Sequence, residues 1–509
     1  MKKIWFILFL LPINLVAQFS KPYPLPAVEN VLKKSGRNRA ELETAIEYFK
    51  KQRDPLKIKA IEFLISNMDI HYSEDYFWAD STGKRLDYNE MDYSDFASAV
   101  EVFNTIKSKV GKVQPIAFKY QDIDTIKASY LIENVENAFG TWKQPGLPDL
   151  SFEDFCEYVL PYRVSTEPLQ NWREIYSKRF SWMRDSSKME TMTELLADVA
   201  TDLKTWFINT WDIESRQEPL PRLGALQLLA RKKGDCDDIG GLQVFTLRSQ
   251  GYPASVENVP YWATTTGRHF FNSTLDENMK LLPFDISTAD IKINTLSREP
   301  SKVVRLTYSK QPGTLAAQVP SEKIPPGFLR MQNYKDMTAQ YWKTNTLKAK
   351  VFGRKDKPTV AFACVFNGFG WKPTWWGNVR GDSVDFNNMC QGAVFLPMYY
   401  INDRLIPAAY PIISGYEGTR ELKPDTLHKQ SITIKQQEKY LMFRPGKKYK
   451  LYYWDNGWKN CGEEIARENS TELVFVSAPP NALYLLIPEY SQRKERPFSI
   501  SKDGERQWW

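Results

Sequence analysis

The spacing of apolar residues changes twice along the chain. Across residues 38–144 they recur every three to four positions, the signature of helices that bury one face. Asp54 followed by Pro55 makes a helix start, a cap and then a first-turn proline, and Leu56, Ala60, Ile61, Leu64, Ile65 and Met68 carry the stripe onward. Further amphipathic helices are predicted over 93–110 and 122–139, so residues 19–150 read as a helical N-terminal domain. A short capped helix at 151–159 stops at Pro161, and Leu195, Leu196, Val199, Leu203 and Phe207 mark a longer one.

The first change follows Gly234, which breaks a helix predicted over 223–233. The next helix, 236–250, carries Ile239, Leu242, Val244, Phe245 and Leu247 and has little polar face, so it should be buried. Gly251 ends it. Strands are then predicted over 254–259, 268–275 and 279–284, the last two joined by Asp276, Glu277 and Asn278. A buried helix followed by an antiparallel sheet makes residues 151–334 an α+β core.

The second change comes at about Lys335. Helical periodicity stops, and short aromatic strands alternate with Gly, Pro and Asn turns. The stretch from Asn367 (NGFGWKPTWWGNVRGDSVDFNNMCQGAVFLPMYY) aligns with that from Asn456 (NGWKNCGEEIARENSTELVFVSAPPNALYLLIPEY) at an offset of 85 to 89 residues. Both share Asn-Gly, Trp-Lys, a following Gly, a Phe at 386 or 475, and an Ala-led apolar strand at 393 or 482. Two tandem β-sandwich domains related by duplication are expected, at 335–428 and 429–509. The fold class is therefore multidomain α+β.

Residues 1–18 alter the setting. Lys2 and Lys3, an apolar run interrupted by Pro12 and Asn14, and Ala17 describe a secretory signal peptide rather than a membrane span. No Cys follows the run, so lipid attachment is not indicated. The expected location is the periplasm or the exterior of a bacterium, with cell-surface association possible and no membrane segment after cleavage. Among 509 residues, 68 Lys+Arg stand against 61 Asp+Glu, too mild an excess to favour a nucleic-acid partner. The five cysteines, at 156, 236, 364, 390 and 461, are odd in number and scattered, unlike a disulfide scaffold. Cys364 and Cys390 could bridge within one β domain, with ordinary buried thiols the alternative. Three histidines in all argue against a His-rich metal centre, and no cofactor or metal is expected.

That scarcity focuses the chemistry. GDCDDIGGL places Cys236 in the first turn of the buried helix, where the helix dipole and unpaired N–H groups lower a thiol pKa and offer a donor to an oxyanion. His269 begins the strand RHFFNSTL, 33 residues on, and Asp285 ends the neighbouring strand in LLPFDIS. A hairpin of this length can set Asp285 beside His269, to orient the imidazole as the base for Cys236. Gln227 and the Trp262 indole are candidate second oxyanion donors, with core packing the alternative for Trp262. Asp235, Asp237 and Asp238 read as helix caps that oppose a thiolate, and the spacing lacks the ligands of an EF-hand calcium loop. His71 reads as a surface or capping residue, and His428 as a linker residue without a matching acid.

In this order and spacing, GDCDD, RHFF and PFDIS resemble the Gly-x-Cys, His-x-aromatic and Asp boxes of the transglutaminase-like superfamily, the papain-like thiol enzymes. The match covers about sixty residues, 224–287. With FCEYVLPYR and EPLQNWR ahead and NGW-rich β modules behind, the chain is similar to large secreted transglutaminase-like proteins of Bacteroidetes. Phe271 stands where a Trp often follows the His, and Ile286 where a Pro often follows the Asp, which bears on substrate class more than competence. The resemblance implies a Cys236–His269–Asp285 triad that performs acyl transfer or hydrolysis at a peptide, isopeptide or glycopeptide amide. A second reading is a silent scaffold that binds glycan or protein through its C-terminal aromatics, Trp371, Trp375, Trp376, Tyr399, Tyr400, Trp454 and Trp458.

Overall fold

The carboxylate of Asp54 accepts the N–H groups of Leu56 and Lys57, and the helix Pro55–Asn67 follows directly. The computed structural model describes residues 25–509 except 145, 185–190, 211–221, 287–291, 294–295, 357, 438–440, 493–494 and 502–503. The expected signal peptide at 1–18 lies outside the described residues. None of the helices among them is long and apolar enough to cross a membrane.

The molecule mixes helix and sheet, with its C-terminal part rich in strands. Helices Leu25–Lys34, Arg39–Gln52, Pro55–Asn67 and Ala128–Thr141 bury Phe49, Leu64, Leu131 and Val135 in one cluster with Phe155 and Tyr308. Each such buried side chain contributes about 1.5–3 kcal/mol. The N-terminal region is not purely helical: Tyr72–Asp80 pairs antiparallel with Val113–Gln121 across an intervening helix, Phe96–Val110. The helix expected at 122–139 divides, because Ile126 and Lys127 are extended between Asp122–Thr125 and Ala128–Thr141.

The central layer is a six-stranded sheet in the order Tyr334–Asp336, Val304–Leu306, Ser255–Val259, His269–Leu275, Leu281–Asp285, Lys292–Ile293, with neighbours antiparallel. The helix Cys236–Ser249 packs on it with almost every side chain buried, as its lack of a polar face predicts. Tyr334–Asp336 spans the boundary expected at 334/335, so the central sheet runs on to the threshold of the β-rich part.

There, Thr344–Lys350 pairs with Ser383–Cys390, and Val360–Phe366 pairs with both Trp371–Arg380 and Ala393–Ile401. The same pattern recurs downstream. Gln430–Lys435 pairs with Glu472–Ala478, and Lys448–Trp454 pairs with both Trp458–Ile465 and Tyr484–Pro488. Irregularities fall at equivalent places, at Asn345/Leu347 and Gln430/Ile432, and at Ala363/Cys364 and Leu451/Tyr452. Most of the aromatic surplus is structural. Trp371, Trp454 and Trp458 meet edge to face in a cluster between the two units. Tyr399 is buried in the core of the first unit. All five cysteines are free thiols, Cys364 and Cys390 included.

Candidate active site

The turn before Cys236 is built by its acids. Asp235 caps the helix by accepting the N–H groups of Asp237 and Asp238, and the Asp238 carboxylate returns to accept the Asp235 N–H at 3.1 Å. The Asp238 side chain fills the space beside Gly234, where any Cβ would fall 2.4 Å from Asp238 Cβ. The Gly two residues before the Cys is thus demanded by the cap. Further along, Gly240 lies against the sheet face carrying Phe270 and Asn272, and Asn272 Nδ2 donates to its carbonyl at 3.0 Å.

The strand register brings the next two residues together. Asn272 pairs with Phe284, so one step further Asp285 reaches the level of Phe271, diagonal to His269 on the same face. His269 Nε2 and Asp285 Oδ2 are 2.8 Å apart, which leaves Nδ1 as the ring's second functional nitrogen. Trp262 and Phe271 lie roughly parallel to the imidazole, with centroids at 5.6 and 6.0 Å, and fix its plane. Trp262 is therefore placed as a wall of the histidine, in keeping with its packing alternative. Gln227 is engaged at both ends, accepting from Gly224 N at 2.7 Å and donating to Glu90 at 3.2 Å.

Cys236 reaches the same strand. The Phe270 backbone N–H, one residue from His269, favours its thiolate. Among the described residues no hydrogen bond joins the thiol to the imidazole. Burial, reinforced by Asp235 and Asp237, pushes the thiol up to about 12, against the downward shift expected from a helix start. The protein without substrate therefore holds a neutral thiol at pH 7.

Sequence reasoning missed three contributors. Arg222 and Arg268 both bind Asp237, at 2.8 and 3.0 Å, and both lie over the Phe270 ring at 5.3 Å. Burial raises the Asp237 carboxyl while the two guanidiniums oppose that rise. Arg268, immediately before His269, keeps 59% of its side chain exposed and puts a cation at the site. The third is Asn367, the first residue of the repeated motif, buried at 5% exposure. Its Nδ2 approaches the carbonyls of Trp262, Thr265 and Gly267 at 2.9 to 3.0 Å, and its Oδ1 accepts the Gly267 N–H. An Asn-Gly pair signals a turn, and nothing local announces a clamp on a loop 100 residues away.

The remaining histidines differ from expectation. His71 is buried, bonded to the Tyr308 carbonyl at 2.8 Å and stacked on the Tyr308 ring, and burial lowers it to about 3. His428 is exposed but does have an acid, Asp425, at 2.8 Å. No cluster of three or more His, Cys, Asp or Glu suited to a metal occurs among the described residues. No family model and no curated protein matches this chain.

Proposed function

We propose that this is an exported thiol enzyme of transglutaminase-like type that performs acyl transfer or hydrolysis at a peptide, isopeptide or glycopeptide amide. The observation that carries this reading is the 2.8 Å His269–Asp285 pair on the strand against which the helix begun by Cys236 packs. His269 takes the thiol proton as sulfur attacks the carbonyl, and the C–N bond of the tetrahedral intermediate breaks as His269 returns the proton to the amine. Water or a second amine then cleaves the thioester. Asp285 holds the ring and stabilises the imidazolium. Bound substrate must do the rest: neutralising the carboxylates beside the thiol removes a repulsion that opposes the thiolate of a group resting near 12.

The matched strand pairings and irregularities support reading 335–428 and 429–509 as duplicated β-sandwich domains behind a papain-like core. A second functional reading, a scaffold that binds through these β domains, draws on one specific observation, the uncharged thiol.

The test is acylation by p-nitrophenyl acetate followed by mass mapping. Cys236 should acylate faster than Cys461, the other partly exposed thiol. His269→Ala should lower that rate about 100-fold or more. A rate that climbs tenfold per pH unit toward 12, or equal labelling of Cys236 and Cys461, overturns the enzyme reading.

A further inference from the structure

The strands Trp371–Arg380 and Ser383–Cys390 are joined by a tight hairpin but pair only at Val379–Val384 and Arg380–Ser383. Beyond those pairs they part, the first joining Val360–Phe366 and the second joining Thr344–Lys350. At Gly377 the two strands still approach closely, since a Cβ there would meet the Asp385 carbonyl at 2.2 Å. The gap is an open cavity of about 350 Å³ whose wall includes Trp375, Trp376, Asn378, Asp385, Asn387 and Asn388. That volume falls within the ~300–1,000 Å³ of small-molecule sites.

One side of the cavity is held open from below. The second strand bulges at Asn387 and Asn388, with Asn388 at φ 52°, a left-handed conformation that Asn tolerates better than most residues. The two bulge carbonyls accept the ammonium of Lys302, at 3.1 and 2.9 Å. Lys302 has a fully buried side chain, bonds Asp336 at 2.6 Å and lies 4.0 Å from the Trp375 ring centroid. A buried ion pair thus fixes the bulge and one indole without any ligand, so little ordering cost is left for binding.

The lining selects a ligand class. Asp336 is consumed by Lys302 and by the N–H and hydroxyl of Thr338, which leaves no carboxylate cluster for a metal. The lining carries Arg380 together with Asp385 and Asp336, so it has no excess of positive charge to favour an anion. What remains is amide side chains that both donate and accept and a carboxylate that accepts, beside half-buried indoles. Vicinal hydroxyls match the first, and the C–H face of a sugar ring matches the second.

We propose that this cavity is a binding site for one or two pyranose rings of a neutral saccharide. The proposal gives the second functional reading a site and a ligand class, and it requires nothing of the thiol. The test is titration of the purified protein with galactose, mannose, N-acetylglucosamine and lactose, by calorimetry and saturation-transfer NMR. At least one should bind saturably, Trp376→Ala and Asp385→Ala should each weaken it about tenfold or more, and Cys236→Ala should leave it unchanged. Asp385 is exposed, so its variant tests the site even if Trp376→Ala fails to fold. Saturable binding unaffected by Asp385→Ala or weakened equally by Cys236→Ala overturns the site while keeping sugar binding. No saturable binding by any of the four sugars overturns both the site and its ligand class.

Discussion

The two β units share a strand plan, two irregularities and an Asn-Gly motif, yet they hold the molecule by different means. In the first unit Asn367 is buried and grips the loop that precedes His269. Its counterpart Asn456 is exposed, at φ 53° in a surface turn. The first unit meets the central sheet through a buried ammonium, Lys302 on Asp336 and two strand carbonyls. The second carries its lysines outside, as Lys447–Glu489, Lys448–Glu463 and Lys459–Asp455. It reaches the histidine loop through Arg496, which donates to the carbonyls of Ala263 and Phe366. One strand plan thus serves once as a part of the site's frame and once as an outer brace. What distinguishes the copies is which polar groups they bury, because a buried polar group must be satisfied by a definite partner and a surface one need not be.

The largest expected effect lies at Lys302. Burial lowers its ammonium to about 8, so on raising pH the folded state releases this proton before the unfolded chain does. Stability should therefore rise with pH between about 8 and the ordinary lysine value, by up to about 3 kcal/mol. Thermal melts of Lys302→Met should lose that slope, and Lys448→Met should keep it. Equal slopes in both variants would erase the distinction between buried and surface anchoring.

Next is the clamp. Asn367→Ala removes a buried amide worth about 1–3 kcal/mol and should slow acylation of Cys236 about tenfold to a hundredfold. Asn456→Ala should stay within twofold. If the two asparagines behave alike, the first unit is not part of the site's frame.

Arg496→Ala comes third. The carbonyls of Ala263, Phe366 and Trp509 lose their donor, and stability in thermal melts should fall by about 1–2 kcal/mol with a smaller change in acylation than at Asn367. Smallest is Lys447→Ala, which should leave both the melting temperature and acylation at their starting values.

The contrast also explains what could be read from sequence. Helix starts were legible where the signal is local, as at Asp54 with Pro55 and at Asp235 before Cys236. The approach of His269 to Asp285 was legible too, because hairpin length and strand parity set it. The pairing of Tyr72–Asp80 with Val113–Gln121 was not, since the partner strand lies beyond a helix and the aromatic run HYSEDYFW lacks clean alternation. The burial of His71 depends on the distant Tyr308, and the raised thiol depends on packing that outweighs a helix-start dipole. Asn367 and Lys302 act through contacts with partners far along the chain, which no window of sequence contains.

Lys302 has a consequence for how the chain can be divided. Its partners come from Asp336, at the end of the central sheet, and from the carbonyls at 387 and 388, deep in the first β unit. Cutting between them leaves the Lys302–Asp336 pair on one piece and takes away two of the buried ammonium's three acceptors with the other. The central sheet and first β unit should therefore melt as one cooperative block and fail to refold as separate fragments, whereas the second unit has a core of its own but buries Trp454, Leu483 and Trp509 against the first, so a cut between the two exposes that cluster.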